Sequence, residues 1–74
     1  MEYYSNLSGN SGVVRFEIGP DFIRVQFQHG DIYLYTYQTA GGANIEEMKR
    51  LALQGQGLNS FIDRTPAVRN GFVR

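Results

Sequence analysis

The chain has 74 residues, of which 42% are hydrophobic and 19% charged, and its seven basic side chains are balanced by seven acidic ones. This length allows a single domain with a thin core, and the composition is typical of a globular chain rather than a disordered one. The even charge balance excludes the strongly basic footprint of a dedicated nucleic-acid binder, and the absence of cysteine excludes disulfides and cysteine-based zinc sites.

The N-terminal segment, residues 1–12, is predicted to be flexible. It opens on Met1-Glu2-Tyr3-Tyr4, where a secretory signal would have basic residues followed by an apolar stretch, and this start favours a cytoplasmic protein. Positions 5–12 are mostly small and polar, as in a loop or lead-in. A single domain is therefore expected over residues 13–66, and no apolar run in it is long enough to span a membrane.

Three segments of alternating hydrophobicity follow, and each of them predicts a β-strand. They are Val13–Ile18, Phe22–Gln28 and Asp31–Tyr37. Alternation with a period of two is typical of strands that bury one face and leave the other in water. The short spacing between the segments predicts an antiparallel meander of three strands.

Two turns set the expected register of this meander. A tight turn around Pro20 would place Phe16 opposite Val25. A two-residue loop of His29-Gly30 would place Val25 opposite Leu34. Both pairings collect the aliphatic side chains on one face of the sheet, the predicted core face. Its members are Val14, Phe16, Ile18, Ile23, Val25, Phe27, Ile32 and Leu34.

A helix is predicted to cover that face. After a loop over residues 39–43, Asn44 is a suitable N-cap, and Glu47 three positions later completes a variant of the capping box. Gly55 is expected to end the helix. The apolar stripe at helical spacing consists of Ile45, Met48, Leu51 and Ala52.

A shorter helix is predicted next, with Asn59 as its cap and Thr65-Pro66 as its end. Its inward residues would be Leu58, Phe61 and Ile62. The basic tail, residues 67–74, shows no clear pattern. The predicted fold is therefore α+β, a three-stranded antiparallel β-meander packed against a C-terminal helix plus a short second helix.

The order of these motifs resembles the KTSC-type domain, a small family found alone in bacterial proteins and at the C-terminus of some lysyl-tRNA synthetases. The matching features are Phe27 and Gly30 before Tyr33-Leu34-Tyr35, then a capped helix, then the segment Gly57–Ile62. The resemblance covers about residues 11–64, judged by pattern. It implies RNA binding, a role suggested for the family because of its attachment to a tRNA synthetase.

Catalysis and metal binding are not expected from the residues. His29 is the only histidine, and it stands in a predicted tight turn, which does not orient a base towards a nucleophile. One histidine without cysteine supplies too few ligands for zinc. The segment Gly55-Gln56-Gly57 follows a helix and lacks the ending of a phosphate-binding loop. We therefore predict a non-catalytic protein with no cofactor.

The candidate binding face carries a row of tyrosines. In the expected register the tyrosines point away from the core, with arginine and glutamine across from them, and the face consists of Tyr33, Tyr35, Tyr37, Arg24, Gln26 and Arg15. Such a surface suits the stacking of RNA bases beside phosphate-binding arginines. It also suits a protein partner or a homodimer, and it is compatible with a purely structural surface.

The sequence therefore predicts a small binding module of unknown ligand, with RNA as one candidate. The alternative is a structural or self-associating domain without a small-molecule or nucleic-acid ligand.

Overall fold

The computed structural model describes all 74 residues. Five antiparallel strands form one sheet in chain order. They are β1 (Glu2–Tyr3), β2 (Val13–Ile18), β3 (Phe22–Phe27), β4 (Ile32–Thr36) and β5 (Phe72–Val73). The α+β class and the central meander are confirmed. The prediction of only three strands is wrong, because both terminal segments add an edge strand.

Four helices lie between β4 and β5 in the chain. They are α1 (Tyr37–Ala40), α2 (Gly42–Gln54), α3 (Leu58–Arg64) and α4 (Pro66–Arg69). None of them is long and apolar enough to cross a lipid bilayer. The prediction of two helices is therefore incomplete. Helix α1 lies where a strand end and a loop were expected, and α4 begins at the predicted end of the domain and continues into the predicted tail.

The helices pack against one face of the sheet only, and a single core lies between the two layers. Its sheet side includes Phe16, Val25 and Tyr35, which is 1% exposed. Its helix side is the predicted stripe of α2, all of which is buried, together with Leu58 and Ile62 of α3. The opposite face of the sheet contributes no side chain to this core.

The N-terminal segment is attached to the core by Tyr4. The backbone N–H of Tyr4 donates to the carbonyl of Val14 at 2.9 Å, which continues the pairing of β1 with β2. Its buried hydroxyl accepts a hydrogen bond from the N–H of Leu58 at 3.3 Å. That N–H is one of the unpaired donors at the start of α3, where Gly57 occupies the N-cap position and offers no side chain. The predicted cap, Asn59, lies inside the helix instead.

The C-terminal segment is also packed against the domain. Val68 of α4 is fully buried, and β5 pairs with β4 so that Tyr35 lies opposite Phe72. Gly71 allows this return, because a Cβ at that position would overlap the backbone carbonyls of Thr39 and Ala67. No hydrophobic period marks these short elements in the sequence.

The register between β2 and β3 is the predicted one. Phe16 lies opposite Val25 and Ile18 opposite Ile23. Val14 departs from the prediction, because it is the extra residue of a β-bulge between Val13 and Arg15. It is therefore only half-buried.

The register between β3 and β4 differs from the prediction by one residue. The loop has three residues, Gln28 to Gly30, because Gly30 donates to the Phe27 carbonyl while the N–H of Phe27 donates to the Asp31 carbonyl. Gly30 has φ of +97°, so the loop is a type I turn followed by a glycine bulge. Val25 consequently lies opposite Tyr33 rather than Leu34.

This shift exchanges the two faces of β4. Tyr33 and Tyr35 turn towards the helices, whereas Ile32 and Leu34, which were expected in the core, turn towards the helix-free face. The predicted core face is therefore wrong for β4, although it is right for β3, where Val25 is buried and Phe27 half-buried.

The predicted start of the long helix is also wrong. Thr36 and Thr39 form a reciprocal capping box for α1, where the end of the third strand and the start of a loop were expected. Gly41 is the N-cap of α2, and Asn44 lies inside that helix, where its side-chain amide donates to the Ala40 carbonyl at 2.8 Å. Gly55 ends α2 in the left-handed conformation, with φ of +83°, as predicted.

The β4 register can be tested by truncating its two faces separately. We expect Tyr35→Ala to lower the free energy of unfolding by about 3–5 kcal/mol, since it removes a buried aromatic ring. Leu34→Ala, on the helix-free face, should cost about 1 kcal/mol or less. Urea denaturation followed by circular dichroism measures both values. A larger cost for Leu34→Ala than for Tyr35→Ala would favour the two-residue loop, in which Leu34 faces the core.

The Tyr4 hydroxyl can be tested in the same way. We expect Tyr4→Phe to cost about 1–2 kcal/mol, because the N–H of Leu58 loses its acceptor in a buried place. Tyr3→Phe, which removes a hydroxyl at the exposed edge, is the matched control and should change stability by less than about 0.5 kcal/mol. Equal costs for the two variants would contradict the capping role.

Candidate interaction surface

The face of the sheet that no helix covers is called here the outer face. The cross-strand partners arrange most of its side chains in two rows, each running across four strands. The first row is Tyr3, Arg15, Gln26 and Ile32, the second is Glu17, Arg24, Leu34 and Val73, and Phe22 and Thr36 complete the face.

Charged and aromatic side chains occupy the half of the outer face formed by β1, β2 and β3. Arg24 donates to the Glu17 carboxylate at 3.0 Å, and its guanidinium carbon lies 5.0 Å from the centre of the Phe22 ring. Arg15 donates through Nη2 to the Tyr3 hydroxyl at 2.9 Å and lies 4.6 Å from the centre of that ring. Both guanidinium groups therefore lie against an aromatic ring.

Aliphatic side chains occupy the other half, on β4 and β5. Ile32 is 44% exposed and Val73 is 45% exposed, and Leu34 between them is half-buried. Cross-strand pairing places Leu34 next to Val73, so that the three form one continuous patch. None of the three belongs to the core or to the partly buried residues packed against it.

The structure divides the predicted binding face between three places. Arg15, Arg24 and Gln26 lie together on the outer face, as expected. The two tyrosines of β4, Tyr33 and Tyr35, lie on the opposite side of the sheet because of the three-residue loop. The predicted row of exposed tyrosines is therefore wrong. Burial also raises the pKa of Tyr35, whereas a tyrosine that stacks on bases at the surface would be exposed to solvent.

Tyr37, the third of the expected row, belongs to a polar network beside α2. Its hydroxyl donates to Glu46 at 2.6 Å, and Lys49 donates to the same carboxylate at 2.8 Å and to the Pro20 carbonyl at 3.0 Å. The hydrogen bond to Glu46 raises the pKa of Tyr37, and the hydrogen bond from Lys49 lowers the pKa of Glu46. The network connects α2 to the β2–β3 turn.

Tyr33 belongs to an aromatic cluster at the hairpin end of the sheet. Its ring stacks on Phe72 with 4.3 Å between ring centres, and Arg74 donates to its hydroxyl at 3.0 Å. His29 and Arg74 both approach Asp31, at 3.3 Å and 3.6 Å. These contacts join the hairpin loop to β5, and His29 lies in an exposed turn position, as predicted.

The surface has no detectable pocket, and no three histidine, aspartate or glutamate side chains converge where they could hold a metal ion. No family model, no curated protein and no solved structure matches the chain. The resemblance to the KTSC-type domain therefore stays a prediction.

The sequence pattern did not predict the aliphatic patch, for two reasons. Ile32 and Leu34 were assigned to the core by the two-residue loop, although glycine in the third place of Gln28-His29-Gly30 is the signal for a three-residue loop with a bulge. Val73 lies in a two-residue edge strand, which leaves no periodic pattern in the sequence.

The network around Glu46 predicts a pH dependence of stability. Because the pKa of Glu46 is lower in the folded chain than its ordinary value of 4.5, the network stabilises the fold above that pH and loses this contribution as the pH falls through the folded value. The raised pKa of Tyr37 acts in the opposite direction, since its contribution is present below the ordinary value of 10.0 and is lost as the pH rises beyond it.

We therefore expect Glu46→Gln to lower the unfolding free energy at neutral pH and to lose this deficit progressively below pH 4.5. Tyr37→Phe should keep most of the acid dependence, because Lys49 is the main cause of the Glu46 shift. Urea denaturation at a series of pH values measures both curves. A Glu46→Gln deficit that does not change with pH would disprove the proposed role of the network.

Proposed function

We propose that this chain is a non-catalytic protein-binding module and that the outer face contacts its partner. The observation that carries the proposal is the β3–β4 register, which turns Ile32 and Leu34 out of the core onto a sheet face without a helix. Protein interfaces commonly place apolar residues at their centre with polar residues around them. The arginine and tyrosine side of this face carries residue types that are enriched at protein interfaces.

A protein partner fits this surface better than RNA does. Base stacking needs aromatic rings on an accessible sheet face, and both β4 tyrosines lie on the other side. Two aromatic residues remain on this face, Phe22 and Tyr3, which is 72% exposed, and each lies against its own arginine, so the face has no row of neighbouring rings. The chain also carries no net charge, so it gains little from release of counterions around phosphates.

A separate partner also fits better than a second copy of this chain. Each residue of a sheet face covers about 32 Å², from a strand spacing of about 4.8 Å and a two-residue repeat of about 6.7 Å. Ten residues therefore span a flat footprint of about 320 Å², whereas each partner of a stable globular interface buries about 800 Å² of accessible surface. A face of this size suits one short segment of another protein.

Site-specific photo-crosslinking in the native cell tests the proposal. The crosslinking residue p-benzoylphenylalanine replaces Ile32 on the outer face or, as the matched control, Leu53, which is 66% exposed on α2. We expect a protein adduct from position 32 that is absent from position 53. Adding Val73→Asp should remove the adduct, because it places a charge inside the aliphatic patch.

Three results would overturn the proposal. A nuclease-sensitive adduct would identify RNA as the ligand, the role that the family resemblance implies. An adduct with the mass of a dimer of this chain would indicate self-association. Equal adducts from positions 32 and 53, or none, would show that the outer face has no preferred protein partner.

A further inference from the structure

The sheet ends at β5, and the side of β5 that faces away from β4 is called here the open edge. In an antiparallel ladder, successive residues direct their backbone N–H and C=O groups to opposite sides of the strand. Asp31 and Tyr37, at either end of β4, both bond to β3. Leu34 is an odd number of residues from each, so its backbone groups point to Val73, its partner in β5. The N–H and C=O of Phe72 consequently point to the open edge, where no other part of the chain pairs with them.

Apolar side chains flank the open edge on both faces of the sheet. Val73 lies on the outer face and is 45% exposed, and Phe72 lies on the helical side and is 37% exposed. The next residue, Arg74, turns back onto β4, where its Nη2 donates to the Tyr33 hydroxyl and lies 3.6 Å from the Asp31 carboxylate. Proteins commonly prevent further pairing by projecting a charged side chain from an edge strand. The only charge beside β5 is directed towards β4 instead.

The opposite edge of the sheet, β1, is protected on both faces. Glu2 places an exposed carboxylate on the helical side, next to Phe16, and Arg15 lies against Tyr3 on the outer face. An added strand would have to desolvate these charges. Of the two edges, β5 is therefore the one that combines free backbone groups with apolar side chains.

The free backbone groups identify the occupant of the open edge as an extended chain. A strand that lies about 4.8 Å from β5 presents its own C=O and N–H groups to those of Phe72. A helix does not, because its backbone groups bond to each other along the helix. A strand at this edge also meets both faces of the sheet, with one residue beside Phe72 and the next beside Val73.

We propose that the open edge of β5 binds an extended segment of the partner protein, in which two consecutive aliphatic residues lie beside Phe72 and Val73. This inference rests on the proposed function and specifies the backbone conformation and the chemistry of the partner. Val73 belongs both to the aliphatic patch and to the open edge, so the added strand continues the outer face by one more row. In this mode of recognition the main-chain hydrogen bonds supply affinity and the alternate side chains supply specificity.

The test uses two synthetic peptides and the full chain labelled with ¹⁵N. Both peptides have seven residues, with threonine and lysine around two central valines, and the second peptide carries N-methyl groups on both valines. Amide chemical shifts report the site and the affinity. We expect the first peptide to bind at β5 about fivefold more tightly than the methylated one, which has lost its backbone donor. At ten times the Kd of the first peptide, exchange of the Phe72 amide proton with water should slow about tenfold.

Two versions of the full chain made by chemical synthesis locate the donor on the protein. N-methylation of the Phe72 amide removes the donor that points to the open edge and keeps the ring that stacks on Tyr33, and it should weaken binding of the first peptide about fivefold. N-methylation of the Tyr3 amide is the matched control, because that N–H points away from β2 at the other edge. It should leave the affinity unchanged. Circular dichroism shows whether each version is folded.

The outcomes separate this inference from the function on which it rests. Equal affinities of the two peptides, shifts away from β5 or no binding would overturn the inference, and a protein adduct from position 32 would then leave the protein-binding role intact. Slower exchange at Phe72 that appears at high protein concentration without peptide would identify a second copy as the occupant and overturn the inference as well. Absence of both peptide binding and adduct would overturn both proposals.

Discussion

The three-residue loop between β3 and β4 determines which side chains of β4 enter the core and which side of the sheet each residue of β5 faces. Gly30 adopts φ of +97°, a conformation that side chains with a Cβ rarely take, and so adds one residue to the turn without strain. The extra residue rotates β4 so that Tyr35 meets Ile23 in the core. Since β5 pairs with β4, the same loop also turns Phe72 inward onto Tyr33 and Val73 outward.

The two ends of the chain complete what this sheet begins. A domain of this length has little surface to bury, and it draws Tyr4 from one end and Val68 from the other into the same core as the central strands. Each end also adds a two-residue edge strand, and those strands place Tyr3 and Val73 at opposite borders of the outer face. The outer face therefore depends on terminal segments whose anchors are on the helical side.

The sequence predicts the structure correctly where one hydrophobic repeat or one residue determines it. The stripe of α2, its end at Gly55 and the β2–β3 register follow from such local signals, and all are confirmed. The β4 faces were predicted wrongly because a period of two fixes which residues share a side but not which side is buried, and the loop length decides that. Contacts between residues far apart in the sequence, such as Tyr4 with Leu58, leave no local pattern at all.

The arrangement of β4 is the opposite of what the hydrophobicity of its side chains favours. Burial of Ile32 and Leu34 with exposure of the tyrosines would place purely apolar groups in the core and leave the hydroxyl groups in water. The loop enforces the reverse, so that Tyr35 is buried with a raised pKa while Ile32 remains 44% exposed. Departures of this kind from local consistency are expected at functional sites. The exposed aliphatic patch is the departure on which the proposed protein contact rests.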